Sequence, residues 1–541
     1  MATAKPTIEF DSAATPTTGL RREIGWRDVF WVASGVPALV LFSIGGIAAT
    51  IGTPSWVVWI LSVLMGYIQA HTYAEIAGMF PSKSGGASIY GAAAWVRYAR
   101  IIAPLSVWCN WVAWSPVLAI GTGIAAGYIF NALFPADSAI LAWSIPLLDL
   151  GFLKEGLSLR INATSILGTI LLLGVFAMQH HGILRTARIQ TIVGIAVIVP
   201  LLIVGLVPLI TGDVLMANLF PLGPLAQDAQ GNPIAGDWTL AGWTLFLGGM
   251  FIAAWSTYGF ETAVCYTSEL KNPQRDTAKG IIYAGLLCIV IFSLVPLSFQ
   301  GTLGLARMLE PGIYDGSGVA AAMGDMVGGG QVVHALLVIM LLLALMLSIM
   351  TAMAGSSRTL YQGSVDGWLP KYLSHVNEHG APTRAMWTDL SFNVLLLLMS
   401  DYVFVLAVSN CCYLVFNFLN LNAGWIHRID NAAAPRPWRA PNGFLVAGVI
   451  LSFVNMIFLG AGANVWGEGT LASGLVAMLL VVPVFLFRHY VQDKGQFPPD
   501  MLKDLHVDQR DLKVRKAGNL PYVTLAAGVL VVIVSNWIFQ L

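Results

Sequence analysis

The residues Trp255-Ser256-Thr257-Tyr258-Gly259-Phe260-Glu261 place hydroxyls, a glycine and a carboxylate inside a stretch, Gly242–Cys265, that is otherwise hydrocarbon. Two kinds of chemistry suit such an interruption. Backbone groups released by a broken helix bind ions, and they are tolerated at membrane depth only where protein or a water-filled cavity surrounds them. An ionisable residue at that depth is a functional-site candidate by default. Glu261 therefore reads as a proton-linked or gating carboxylate, or as an acceptor for N–H groups left over at the break.

Other polar groups recur at helical spacing in apolar surroundings. Trp108, Trp111 and Trp114 stand three apart on one stripe. A tryptophan face holds an organic cation, although packing or an interfacial belt uses the same residues. Ser348 and Thr351 are hydroxyls in an apolar helix, where they also bond their own backbone. Asn410, Tyr413 and Asn417 recur near one turn and would complete a cavity. Gln69 with His71 reads as a satisfied polar pair or a proton relay.

The elements that position these groups are transmembrane helices. Of 541 residues, 57% are hydrophobic and only 10% charged, too few charges to cover a soluble surface. Stretches long enough to cross a bilayer number thirteen: Val29–Thr50, Trp56–Phe80, Ile101–Phe134, Ile161–Gln179, Ile189–Thr211, Gly242–Cys265, Ile281–Gly301, Val332–Leu360, Met386–Met399, Tyr402–Ile426, Phe444–Ala463, Leu471–Phe487 and Pro521–Leu541. The ninth is the shortest. The five cysteines (Cys109, Cys265, Cys288, Cys411, Cys412) lie in apolar segments and imply neither a metal site nor a disulfide framework. No cofactor is implied.

Net charge is zero, but it is sorted. With a cytoplasmic N-terminus, every lysine and arginine except Lys154, Arg160 and Arg307 falls in an inside segment, as cytoplasmic loops require. An odd number of spans puts the C-terminus outside. The expected organisation is a cytoplasmic tail (1–28, without a signal peptide), a first set of five spans (29–211), an external loop (212–241) and a second five (242–426). Spans eleven and twelve (427–491), a cytoplasmic linker (492–520) and a peripheral thirteenth span (521–541) follow. The external connections Asp213–Asp237 and Leu305–Gly330 are acidic and glycine-rich, reading as lids or plain loops.

The first span of each set is the irregular one. Span one carries Ser34-Gly35-Val36-Pro37, and proline inside a helix costs about 3 kcal/mol unless compensated. Because five spans intervene, the two sets enter the membrane from opposite sides. Interrupted helices at matching positions of inverted halves point to the central site of a carrier.

Four stretches carry a resemblance to a known family. They are Tyr73-Ala74-Glu75 through Phe80-Pro81-Ser82-Lys83-Ser84-Gly85-Gly86, then Gly259-Phe260-Glu261 with Glu269-Leu270-Lys271-Asn272-Pro273-Gln274-Arg275-Asp276. Ser357-Arg358-Thr359-Leu360-Tyr361 with Asp366-Gly367-Trp368-Leu369-Pro370, and Arg436-Pro437-Trp438-Arg439-Ala440-Pro441, complete the set. Together they cover Gly25 to Arg488, and the chain resembles the amino acid–polyamine–organocation permeases. Trp255-Ser256 ahead of Gly259-x-Glu261 further resembles the arginine/agmatine exchanger branch, where an aromatic caps the substrate. Two departures stand out: span one lacks the family's Gly-x-Gly, and no lysine occurs midway along span five, around Val197–Pro200.

The resemblance implies an all-α fold with a five-plus-five inverted repeat, broken spans one and six, and extra peripheral helices. It implies a secondary carrier of an amino acid or related amine, working by alternating access in the plasma (inner) membrane. The substrate carboxylate would meet Ser34, Gly35, Val36, Pro37 and Ala38, because a half-helix end offers free N–H groups and positive potential. Carbonyls of Ala254, Trp255, Ser256 and Thr257 would take the amine, with Tyr258, Gly259, Trp111 and Asn410 completing the pocket. Glu261, Ser348 and Thr351 would serve coupling or gating, the hydroxyls through a sodium site such as relatives build there. Glu75 and Glu269 suit gate or scaffold contacts. A proton, sodium or a counter-substrate would be the coupled partner. An organic-cation or polyamine exchanger, or a channel-like protein, are the alternatives. An embedded enzyme has no support: His-Glu-x-x-His and Gly-x-Ser-x-Gly are both absent.

Overall fold

The computed structural model describes residues 19–135, 137–314, 316–504 and 511–539. Most of the tail expected at 1–28, part of the linker and the last two residues therefore lie outside the described residues. Among the described residues, twelve helices are long and apolar enough to cross a bilayer: spans one (Trp26–Ile51), two (Ser55–Gly78), three (Ile102–Leu133), four (Ala163–His180), five (Ile183–Thr211), six (Leu240–Glu269), seven (Pro273–Met308), eight (Gln331–Val365), ten (Tyr402–Asp430), eleven (Asn442–Trp466), twelve (Thr470–Gln492) and thirteen (Leu520–Phe539). Side-chain caps start several of them. Asn162 and Ser165 form a reciprocal capping box on span four, Thr239 caps span six and Asp401 caps span ten.

Span nine, Thr383–Leu397, has only 15 residues. Its neighbours show how far it reaches. Before its start, Asn377 Nδ2 donates to the carbonyl of His180, at the end of span four (2.9 Å). Beyond its end, Arg160 N donates to Leu398 O (2.8 Å) and Ser400 N to Ser158 O (2.9 Å), just ahead of span four. It runs antiparallel to span four and covers the same depth.

Spans one and six run antiparallel through the middle, each starting where the other ends. The N–H groups of Glu23 and Ile24 donate to Glu269 O, and Lys271 N donates to Ile24 O. At the opposite end Gly52, with a φ of 76°, closes span one against Pro224 in the loop before span six. The interruption in each helix is a 3₁₀ segment, Ala33–Leu39 in span one and Gly259–Glu269 in span six, and the two segments pack together. A 3₁₀ helix keeps i→i+3 bonds of poorer geometry. The backbone is thus loosened without being fully unwound, and Pro37 is accommodated.

On the N-terminal side the bundle is sealed by buried charge. Arg358 makes two charge-assisted bonds to Glu269, both side chains being buried. Arg428 grips Glu75 with both oxygens engaged (2.9 and 2.6 Å). A buried helix, Ala87–Trp95, fills the space between spans two and three. The segment after span twelve is more than a spacer: Met501 and Phe497 are buried, Phe497 packs on Trp368 (5.3 Å) and Asp504 reaches Lys83 (3.1 Å). On the other side, the 305–330 connection folds into helices Pro311–Tyr314 and Val319–Met326, and lies so close to span one that a Cβ at Gly45 would sit 2.1 Å from Ile313 O. The span three–four connection carries a hairpin, Ser144–Asp149 with Ser158–Asn162. Span thirteen packs along span eleven and is the least buried span, as a peripheral helix should be.

Candidate functional site

The two 3₁₀ segments meet spans three and eight at the centre of the bundle. There a small cavity, with room for about one water molecule, is lined by Gly35, Val36 and Leu39 of span one and by Trp114 and Val117 of span three. Thr262 of span six and Ser348, Thr351 and Ala352 of span eight complete it.

Span one is held against span eight by direct bonds. Ser348 Oγ donates to Gly35 O (2.9 Å) and Thr351 Oγ1 to Val32 O (2.6 Å), while Gln190 Nε2 of span five donates to Thr351 Oγ1 (3.1 Å). A methyl group on Gly35 would lie 2.4 Å from Thr351 Oγ1 and 2.6 Å from Leu347 O, so only glycine permits this approach. Ser34 turns back to Trp31 O. Val36, Pro37 and Ala38 are buried within the same segment.

Glu261, next to Thr262 in span six, lies in an aromatic box. Its Oε1 accepts from Tyr413 OH (2.9 Å) and Trp114 Nε1 (3.2 Å), and its buried Oε2 has no hydrogen-bond partner among the described residues. Trp114 stacks on Trp255 (5.9 Å, 22°) and meets Tyr413 edge-on (5.1 Å). Tyr258 lies 6.2 Å from Tyr413. Trp255 Nε1 donates to Ala113 O (2.9 Å), which pins the ring to span three. Ser256 and Thr257 bond Ser43 and Ser62 (2.7 and 2.8 Å) and so tie span six to spans one and two. Asn410 Nδ2 donates to Phe251 O (2.5 Å), one turn above Ala254.

Trp111 does not join this group. Its indole donates to Asp389 of span nine (2.8 Å), and that carboxylate also accepts from Ser115 and Ser356 (both 2.5 Å). The knot sits at Ser115-Pro116, where span three breaks between Ile102–Trp114 and Val117–Leu133. Three residues apart on one helix, the two indoles point about 60° apart, so Trp111 meets span nine and Trp114 meets Glu261. Leu39, Val117, Thr262, Ala352 and Gln190 escaped the sequence reading. Thr262 was within reach of it: a 3₁₀ period of three puts it on the face of Gly259.

Among known families, the model described as amino acid permease matches residues 24–484. The chain belongs to the amino acid permease family. This permease is 24% identical to the polyamine transporter PUT1 of Oryza sativa subsp. japonica over 459 residues, covering 84% of the chain and 76% of that protein. It is 23% identical over 305 residues to the branched-chain amino acid permease BcaP of Lactococcus lactis subsp. cremoris, covering 56% and 61%. To the chloroplastic cationic amino acid transporter 9 of Arabidopsis thaliana it is 25% identical over 309 residues, covering 56% and 50%. The permease is therefore a multi-pass membrane carrier of a small molecule, with the all-α polytopic architecture of its superfamily.

Proposed function

We propose that this permease carries an amino acid or related amine across the plasma (inner) membrane by alternating access, with its N-terminus cytoplasmic. One observation carries the reading: two 3₁₀ segments of antiparallel helices meet at a central cavity, beside a carboxylate held in an aromatic box. The substrate carboxylate would take N–H groups between Ser34 and Ala38. Its ammonium would take carbonyls from Ala254 to Thr257, with Trp255 closing over it and Glu261 balancing charge. A cavity holding one water is too small for either group, so this is a closed form. Opening would part spans one and six from spans three and eight.

Moving the substrate against its gradient would need a coupled ion or counter-substrate, because a ligand with equal affinity for both open forms shifts neither. Ser348 and Thr351, placed on the span-one carbonyls, are the proposed coupling hydroxyls, and Glu261 is the proposed proton-linked group. A second reading, an organic-cation or polyamine exchanger, is favoured by the free Oε2 of Glu261 among tryptophan and tyrosine rings. Uptake and counterflow in liposomes test both readings, using a panel of amino acids and polyamines with and without proton and sodium gradients. Saturable uptake of an amino acid supports the first, and uptake of polyamines alone supports the second. No saturable flux of any member would overturn both.

A further inference from the structure

A second opening lies on the outside of the bundle, at the N-terminal side, between the start of span seven and the loop joining spans ten and eleven. This open groove is lined by Gln274, Arg275, Ala278, Lys279, Ile282 and Tyr283 on one wall, and by Pro437 and Trp438 on the other. Neither Arg275 nor Lys279 has a side-chain hydrogen bond or ion pair with the described residues. That sets them apart from the arginines of the buried seal, which are all matched to carboxylates. Asp276, the acid beside them, is buried and makes no ion pair with either among the described residues.

The two cations are four residues apart, hence on one helical face. Continuing from them, Tyr283, Leu286 and Val290 occupy the same face, and they are 45%, 43% and 51% exposed. The face thus passes from cationic to aromatic to aliphatic along the helix axis, in the order of a phospholipid's phosphate, glycerol region and acyl chain. Trp26 flanks Tyr283 (5.1 Å) with Arg27 over its ring, and Trp438 forms the far wall. Tryptophan and tyrosine prefer this headgroup level.

We propose that the groove is a binding site for one anionic phospholipid. Its phosphate is held by Arg275 and Lys279, and its acyl chain lies along Tyr283, Leu286 and Val290. A soluble anion would use the two cations but gain nothing from the aliphatic stripe. The site is independent of which substrate the carrier moves, and basic pockets between transmembrane helices are a recurrent mode of lipid recognition.

The test uses the full-length permease, reconstituted in phosphatidylcholine with a trace of spin-labelled phosphatidylglycerol or spin-labelled phosphatidylcholine. Motional restriction of the label is read without substrate, so a failed transport reading leaves this result unaffected. The wild type should restrict the anionic label in preference to the neutral one. Arg275→Gln with Lys279→Gln should weaken that preference about thirty-fold, or about five-fold for either change alone. The charge-keeping pair Arg275→Lys with Lys279→Arg should retain it. Arg384→Gln, an exposed cation at the start of span nine, should change nothing. The proposal is overturned if the wild type shows no preference, if the double Gln variant keeps it, or if Arg384→Gln loses as much. Displacement of the label by inorganic phosphate would also overturn it, by identifying a soluble-anion site.

Discussion

A methyl group added at Gly259 would stand 2.5 Å from Cη2 of Trp114, closer than any real contact. The glycine lets span six bring its 3₁₀ segment against the indole that donates to Glu261. Gly259→Ala should displace Trp114 and cut uptake at least about ten-fold, since misplacement of a positioning group by an ångström is that costly. Gly259→Leu should abolish substrate binding. Adding Trp114→Phe to Gly259→Ala should restore part of the loss if the clash is the cause. Wild-type uptake by Gly259→Ala would show that the ligand lies elsewhere.

Glu261→Gln is nearly isosteric and keeps an oxygen for Tyr413 and Trp114 while removing the ionisable group. Expression and thermal midpoint should hold, and the pH dependence of uptake should flatten. A profile identical to wild type would leave Glu261 as a structural acceptor only.

Glu269 and Arg358 join the end of span six to span eight, with almost no water near either. Glu269→Gln leaves the guanidinium buried and uncompensated, a loss of about 3–5 kcal/mol. Thermal unfolding followed by loss of monodispersity should show a clear drop. Glu269→Leu with Arg358→Met should cost less than either change alone, because no stranded charge remains.

Burial pulls the Lys83 ammonium down, but Asp366 at 2.6 Å and Asp504 at 3.1 Å overcome that effect and leave it raised. A raised folded value means the stabilisation is present in full below lysine's ordinary range, about 10.4, and is lost only as pH climbs through the higher folded value. Lys83→Met strands the buried Asp366, whose carboxyl burial already raises and the lysine holds down, so it should lower the thermal midpoint at least as much at pH 9 as at pH 6. A deficit larger at pH 6 than at pH 9 would contradict the assignment.

Much of this architecture was legible because hydropathy and charge report it directly. The twelve long apolar helices followed from apolar length, and even the 15-residue helix Thr383–Leu397 was detectable. The extent of the break in span one was hidden, since Ser34-Gly35-Val36-Pro37 lacks the family's glycine pair; the structure gives it as Ala33–Leu39. Which tryptophan of span three faces inward was hidden too. The answer depends on Asp389, 278 positions from Trp111 in the chain, which claims that indole. Periodicity records a face but not the partner that claims it. The segment after span twelve, with charges of both signs, reads from sequence as a cytoplasmic linker; its acid at 504 serves a lysine beyond span two.

That last contact has a mechanical meaning. Asp504, Phe497 and Met501 rest on the loops after spans two and eight, while Ala517 N reaches Asp430 at the foot of span ten (3.0 Å). The segment ends in a helix anchored along span eleven. These contacts work like two clasps on the same face of the bundle. Widening that face would have to unseat Phe497 from Trp368, Asp504 from Lys83 and Ala517 from Asp430, although none of these residues lines the central cavity.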